Sequence, residues 1–200
     1  MTELPGNFIE QFEREGYFAF RDFIAPAVTE RIRSELLSLK NARAFRRAGI
    51  GKDDNFQVNE EQRGDFIHWI DPSSTQEGTR IFLDGLEGLV RGLNRLFYLG
   101  IRDYECHYTE YPAGTFYKKH VDRHKGGSPR VVSFVFYLNE TWTAADGGQL
   151  RIYGETGYHN DILPAAGTLA LFLSEKEHEV LTTHRARMSI TGWMLDQSKP

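Results

Sequence analysis

The sequence predicts a mainly β protein with flanking helices, in which a β core beginning near residue 103 rests on an amino-terminal helical layer. Three observations carry this. From Asp103 onward the chain breaks into short segments, DYECHYTEY, TFYKKHV, VVSFVFYLN, QLRIYG, DILPA, TLALFL, HEVLTT and ARMSITGWML, separated by Gly, Pro and Asp-Gly-Gly turns. Roughly six to eight short strands at near-regular spacing are what an all-β barrel or jelly roll needs. Before Asp103 the apolar residues recur at helical spacing instead. At 200 residues the chain is long enough for one substantial core, so a single domain over 1–200 is expected, with 1–102 as support and 103–200 as the β core.

Taken in order, Phe8, Ile9 and Phe12 mark a short helix that Gly16 stops. YFAFRDFI, residues 17–24, reads as a strand. Pro26 opens a second helix with Val28, Ile32, Leu36, Leu37 and Leu39 as its stripe. Residues 41–65 have no sustained period and are rich in charge and Gly; a loop of that length is usually a lid, a binding loop or disordered. FIHWI is a strand, and Ile81, Phe82, Leu86, Leu89, Leu93, Leu96 and Phe97 form a third helix closed near Gly100.

Composition excludes several function classes. A formal net charge of −4 gives no global field toward nucleic acid or anionic lipid, so neither partner is expected. No segment approaches the ~18 consecutive apolar residues of a membrane span, and the first residues lack the pattern of a secretory leader. The single Cys106 allows no internal disulfide, fits a reducing cytoplasm, and sits in an alternating stretch as a structural thiol.

The stretch KKHVDRHKGGSPR, residues 118–130, admits a phosphate-loop reading and a metal reading. No helix-forming segment follows its glycines, so the helix terminus that a phosphate loop needs is absent. On a strand, His120 and Asp122 at i and i+2 share a face and could share a metal. A His-x-Asp pair alone is weak, arising by chance in roughly four of ten sequences of this composition. His178 near the start of a later strand supplies a third donor, giving the two-His, one-carboxylate face of non-haem Fe(II) oxygenases, although three ligands also suit a catalytic zinc. Arg187 shares a strand face with Ser189, Thr191 and Trp193; pointing inward, it needs an anionic partner, which a dicarboxylate cosubstrate would supply with Thr191 and a phenol of Tyr137 or Tyr111. Arg185 has the same parity and is the alternative. His68, His107, His124, His159 and His184 complete no second site and are expected to be structural or exposed.

With these residues assembled, the chain resembles the 2-oxoglutarate and Fe(II)-dependent dioxygenases, and is especially similar to prolyl 4-hydroxylases related to the hypoxia-inducible-factor enzymes. The resemblance rests on Arg63-Gly64-Asp65-Phe66-Ile67-His68-Trp69, the segment from Tyr111 to Tyr117, His120-Val121-Asp122, Tyr137 to Trp142, Gly147 to Ile152, His178 to Val180, and Arg187 to Trp193. It implies a double-stranded β-helix, with iron on His120, Asp122 and His178. The 2-oxoglutarate carboxylate would lie on Arg187 and Tyr137, with Tyr111 and Thr191 lining its pocket. It further implies an Asp65–Arg130 ion pair at the rim, a substrate lid over about 47–62, and a substrate surface including Trp69 and Trp193. Oxygen is the second cosubstrate and ascorbate a supporting reductant. The implied reaction is hydroxylation of a proline in an exposed protein loop, with elongation factor Tu as the bacterial substrate class. The chain departs from the animal enzymes in loop lengths around His120 and in lacking their tryptophan shortly before His178. Rival readings are oxidation of a small molecule at the same centre and a non-catalytic sensing module.

Overall fold

The computed structural model describes residues 5–49, 57–123, 127–154 and 157–197. Helix α1 (Phe8–Glu15) ends where Gly16 takes φ 69° and returns its N–H to Phe12 O, a left-handed cap that costs glycine little. Strand β1 is short (Tyr17–Phe20), because Asp22 at φ 59° turns the chain before residue 24. Helix α2 (Pro26–Asn41) starts on its proline. Helix α3 (Glu77–Phe97) has no side-chain cap of its own. Glu35 of α2 supplies one instead, accepting from the Gly78 and Thr79 amides at 2.8 and 2.9 Å and from the Thr79 hydroxyl at 2.6 Å, which places a carboxylate on the positive end of α3.

Within the long loop, β2 (Arg46–Arg47) pairs with β3 (Phe66–Trp69). The β core then follows as β4 (Asp103–Tyr111), β5 (Tyr117–His120), β6 (Arg130–Tyr137), β7 (Leu150–Tyr153), β8 (His159–Ile162), β9 (Leu169–Leu173), β10 (His178–Val180) and β11 (Arg187–Leu195). These form an antiparallel seven-stranded sheet in the order β1-β9-β6-β11-β4-β3-β2 and a four-stranded sheet in the order β5-β10-β7-β8, the two facing layers of a jelly roll. The expected β core on a helical layer is thus observed.

Strand alternation assigns the two faces of the large sheet different work. On one face Cys106, Tyr108, Val132, Phe134, Phe136, Leu171, Ile190 and Met194 join the helix residues Phe8, Ile32, Leu36, Phe82 and Leu86 in one apolar cluster. Each fully buried side chain of this kind contributes about 1.5–3 kcal/mol. Cys106 is a buried thiol there, as its strand context suggests. The other face turns toward the small sheet, where Val135, Tyr137, Leu150, Ile152, Ile162, Ala170 and Phe172 form a smaller cluster. Beside that cluster the space between the sheets stays open.

Candidate metal centre and its cavity

A cavity of about 790 Å³ lies between the sheets, and its wall includes Tyr111, His120, Asp122, His178, Arg187 and Thr191. The antiparallel pairing of β5 with β10 sets His120 directly opposite His178. The Nδ1 of His120 meets Lys118 O at 2.7 Å, and that of His178 meets Lys176 O at 2.9 Å. A carbonyl only accepts, so in both rings Nδ1 carries the proton and Nε2 presents its lone pair. Those Nε2 atoms lie 3.7 and 3.5 Å from the Asp122 carboxylate. The donor atoms of all three residues fall within 4.8 Å of one another. Two imidazoles with tautomers fixed by outer hydrogen bonds, together with one carboxylate, fit a divalent metal with exchangeable positions left open.

The electrostatics agree. Burial, and then the neighbouring His178, push His120 down to about 3, holding it neutral. Burial by itself would raise the Asp122 carboxyl, but the His178 and His120 rings and a hydrogen bond from Ser133 keep it below the usual carboxylate range. The Ser133 hydroxyl donates to Asp122 Oδ2 at 2.7 Å and is itself within 2.9 Å of Ser174 Oγ.

One expectation about this cluster is corrected. His120 and Asp122 do not share a strand face, because β5 ends at His120. The Asp122 and Arg123 amides both donate to Ser174 O at 2.9 Å, which turns the chain, and Asp122 reaches the cluster from that turn.

Deeper in the cavity, Arg187 is 1% exposed. Its Nε donates to Gly148 O at 2.8 Å, whereas its Nη2 and the Tyr137 hydroxyl find no hydrogen-bond partner among the described residues. The guanidinium carbon lies 5.1 Å from the Tyr111 ring centre and 5.0 Å from that of Tyr137. Burial pushes the Tyr137 phenol up to about 12, with the nearby Arg187 opposing. A buried cation and a buried hydroxyl with unmet donors fit the carboxylate of a dianionic cosubstrate. Thr191 stands two residues from Ser189 on the same face, their hydroxyls 3.4 Å apart. Arg185 lies outside, pairing with Asp146 at 3.4 Å and sitting over Trp142, so it is no rival to Arg187.

At the mouth, the expected Asp65–Arg130 pair is not formed. Arg63, only two residues away, meets both Asp65 oxygens at 2.7 and 2.6 Å and leaves the Asp65 side chain fully enclosed. Arg130 instead bonds Glu105 at 3.0 Å and stacks 3.6 Å over Trp193. Both residues still line the cavity, with Trp69 and Trp193 at its wall. Of the expected lid, residues 50–56 lie outside the described residues, as does His124; the flanking Arg47, Gly49, Gln57, Asn59 and Gln62 all border the cavity. Lys125 and Gly126 of the turn before Arg130 are also outside them.

Several contributors escape a reading of the sequence. His107 is buried in the cavity wall between Trp69 and Trp193, with ring centres at 5.0 and 5.5 Å. Its strand parity with Thr109 and Tyr111 is the signal that could have found it. Ser133 and Ser174 show as polar residues in apolar runs, VVSFVFY and LALFLS. Glu105 and Arg63 have no signal beyond their neighbourhood.

The sequence pattern of the 2OG-Fe(II) oxygenase superfamily matches residues 106–195. Among curated relatives, Egl nine homolog 1 of Homo sapiens is 30% identical over 191 residues, covering 92% of this chain and 44% of that protein. Prolyl hydroxylase EGLN3 of Homo sapiens is 32% identical over 164 residues, covering 75% of this chain and 63% of its own length. The chain therefore spans less than two thirds of these relatives. Among solved structures, a Pseudomonas putida prolyl-4-hydroxylase superposes with a TM-score of 0.85 at 35% identity, covering 95% of this chain and 97% of that one. A Trichoplax adhaerens prolyl hydroxylase, in complex with a hypoxia-inducible-factor oxygen-degradation-domain peptide fragment, gives 0.85 at 27% identity, covering 94% and 87%. Similarity over nearly the whole of the Pseudomonas putida protein, together with a converging His-Asp-His cluster, places the chain in the 2OG-Fe(II) oxygenase superfamily, and it belongs to the prolyl 4-hydroxylase family.

Proposed function

We propose that the protein is a 2-oxoglutarate-dependent prolyl hydroxylase acting in the cytoplasm on a proline in an exposed protein loop, with elongation factor Tu as the substrate. The observation that carries this reading is the adjacency, at one cavity, of a three-donor cluster and two buried groups, Arg187 Nη2 and the Tyr137 hydroxyl, with no hydrogen-bond partner among the described residues. His120, Asp122 and His178 hold Fe(II), and Arg187 with Tyr137 receives the distal carboxylate of 2-oxoglutarate while Tyr111 and Thr191 line its pocket. Bound there, iron and 2-oxoglutarate supply the oxidation that turns a C–H bond, oxygen and the oxo acid into alcohol, succinate and CO2, with ascorbate as auxiliary reductant.

The chain's own contribution is positional. The carbonyls of Lys118 and Lys176 hold each imidazole in the tautomer that offers Nε2. Ser133 orients the Asp122 carboxylate. Charge-assisted bonds to Arg187 fix the cosubstrate's orientation, and the largely apolar wall of Val135, Leu150 and Phe172 limits water around it. Trp69, Trp193 and Arg130, with Asp65 behind Arg63, border the mouth, where a loop of the substrate would enter. A cavity of about 790 Å³ has room for a proline ring and its flanking backbone.

The test is mass spectrometry of purified elongation factor Tu and of cell lysate, each incubated with the enzyme, Fe(II), ascorbate and 2-oxoglutarate. A gain of about 16 Da on a proline is expected. Modification of a different protein would replace the substrate assignment. Absence of both modified proline and succinate above the uncoupled background would replace the enzyme reading with a binding module.

A further inference from the structure

His120 is held on three sides, and only two of them are metal chemistry. Its ring lies flat on Tyr117, with centres 3.6 Å apart and planes 16° from parallel. The Arg63 guanidinium sits 4.3 Å from the centre of the same Tyr117 ring. A ring stacked that closely occupies one face of Tyr117, so the guanidinium occupies the other, giving the layers Arg63, Tyr117, His120. The outermost layer is anchored in turn by the bidentate Asp65 pair.

The backbone ties these layers to the base of the expected lid. Gly64 donates to Phe116 O at 3.0 Å and Lys118 donates to Gln62 O at 2.9 Å, flanking an antiparallel bridge between Arg63 and Tyr117. Arg63 also reaches across to Gly49 O at 3.3 Å. One guanidinium therefore joins Gly49 to the aromatic layer over His120. A cation over a phenol ring and a stacked pair of rings each favour one orientation and resist rotation of the ring plane.

We propose that Arg63 and Tyr117 are positioning residues for the metal: they fix the plane of the His120 imidazole and so raise its affinity for the metal. This rests on the metal reading given above. Outer groups that orient metal-bound histidines typically change metal affinity about 10- to 100-fold. Stacking here would act in the same way as an outer hydrogen bond, by keeping Nε2 aimed at the cluster.

The experiment measures Mn(II) affinity of the full-length metal-free protein by the free-ion electron paramagnetic resonance signal, and the visible bands of bound Co(II) as a report of ligand geometry. Tyr117→Leu keeps bulk and removes the stack; it should weaken Mn(II) about tenfold or more and shift the Co(II) bands. Tyr117→Phe keeps the ring and should remain within about twofold of wild type. Wild-type affinity and unchanged bands in Tyr117→Leu overturn the proposal. Should that variant not fold, the neutral pair Arg63→Gln, Asp65→Asn decides: weaker Mn(II) binding supports the positioning role and unchanged binding overturns it. Failure of the wild-type protein itself to bind Mn(II) or Co(II) overturns the metal reading and this inference together.

Discussion

The two faces of the seven-stranded sheet use the same strands for opposite purposes. Along β4, Cys106 and Tyr108 go to the helices, whereas His107, Thr109 and Tyr111 go to the cavity side. Along β11, Ile190 and Met194 pack against the helical layer, whereas Arg187, Thr191 and Trp193 border the cavity. The helical face is mostly apolar, and polar groups on it such as Glu110 and the Tyr108 hydroxyl are paired, with Lys40 and Thr79. The cavity face keeps polar groups buried and leaves three of their atoms, Arg187 Nη2, Tyr137 Oη and Trp193 Nε1, without a hydrogen-bond partner among the described residues. Apolar packing is non-directional and makes the sheet stable; unmet donors cost folding free energy and are useful only when a ligand meets them. Stability and chemistry thus reside in alternate residues of the same backbone.

Substitutions on the two faces should therefore separate. The largest effect is expected at the metal cluster: His178→Ala or Asp122→Ala leaves two protein donors and should abolish iron-dependent succinate formation, with the far-UV circular dichroism unchanged. Near-wild-type turnover in either variant would remove that residue from the cluster. On the opposite face, Phe136→Ala opens a void against Phe23 and Phe82. It should lower unfolding free energy by about 3–5 kcal/mol, seen as a reduced urea midpoint, while the folded fraction keeps its activity. A proportionate loss of specific activity would show that the faces are not separable.

A subtler contrast comes from His107, a cavity-face residue that folding alone must accommodate. Burial pushes its imidazole down to about 4, against about 6.5 in an unfolded chain. Between those values the unfolded state binds the proton and the folded state does not. The stability contribution is full above about pH 6.5 and falls as the pH drops toward 4, by about 2 kcal/mol between pH 7.5 and 5. His107→Met should flatten that part of the profile, and equal slopes in variant and wild type would refute the assignment. The smallest effect is the one confined to cosubstrate: Arg187→Ala should weaken 2-oxoglutarate binding roughly ten- to a hundredfold, measured by calorimetry with Mn(II) in place of iron. Unchanged affinity would mean that the carboxylate lies elsewhere.

Alternation within a strand is a local property, and it makes the faces of β4 and β11 legible in the residue order alone. Arg187 and Thr191 stand out that way. The three candidate metal donors are also recoverable, not from His-x-Asp alone, which is weak, but from its combination with His178 and the ordered motifs around them. What is not legible is register across sheets. Nothing in TFYKKHV shows that His120 faces His178 across a bulged pairing, or that the strand stops before Asp122; both depend on loops and on the Ser174 carbonyl some fifty residues away in sequence. The Asp65 pairing is misread for a related reason. Two ionic partners are available, and only the folded geometry shows that Arg63 meets Asp65 while Glu105 and Trp193 engage Arg130.

The place of β11 in the sheet has a consequence for biosynthesis. It follows all the other described strands in chain order, yet it lies between β4 and β6. While the chain is emerging from the ribosome, β4 and β6 each present an unpaired edge, and neither can be covered until the final strand arrives. Arg187, the cavity's buried cation, comes with it. Assembly of the sheet and completion of the pocket are therefore one late event, and a nascent chain halted before residue 187 would hold its metal donors without the strand that closes the sheet behind them.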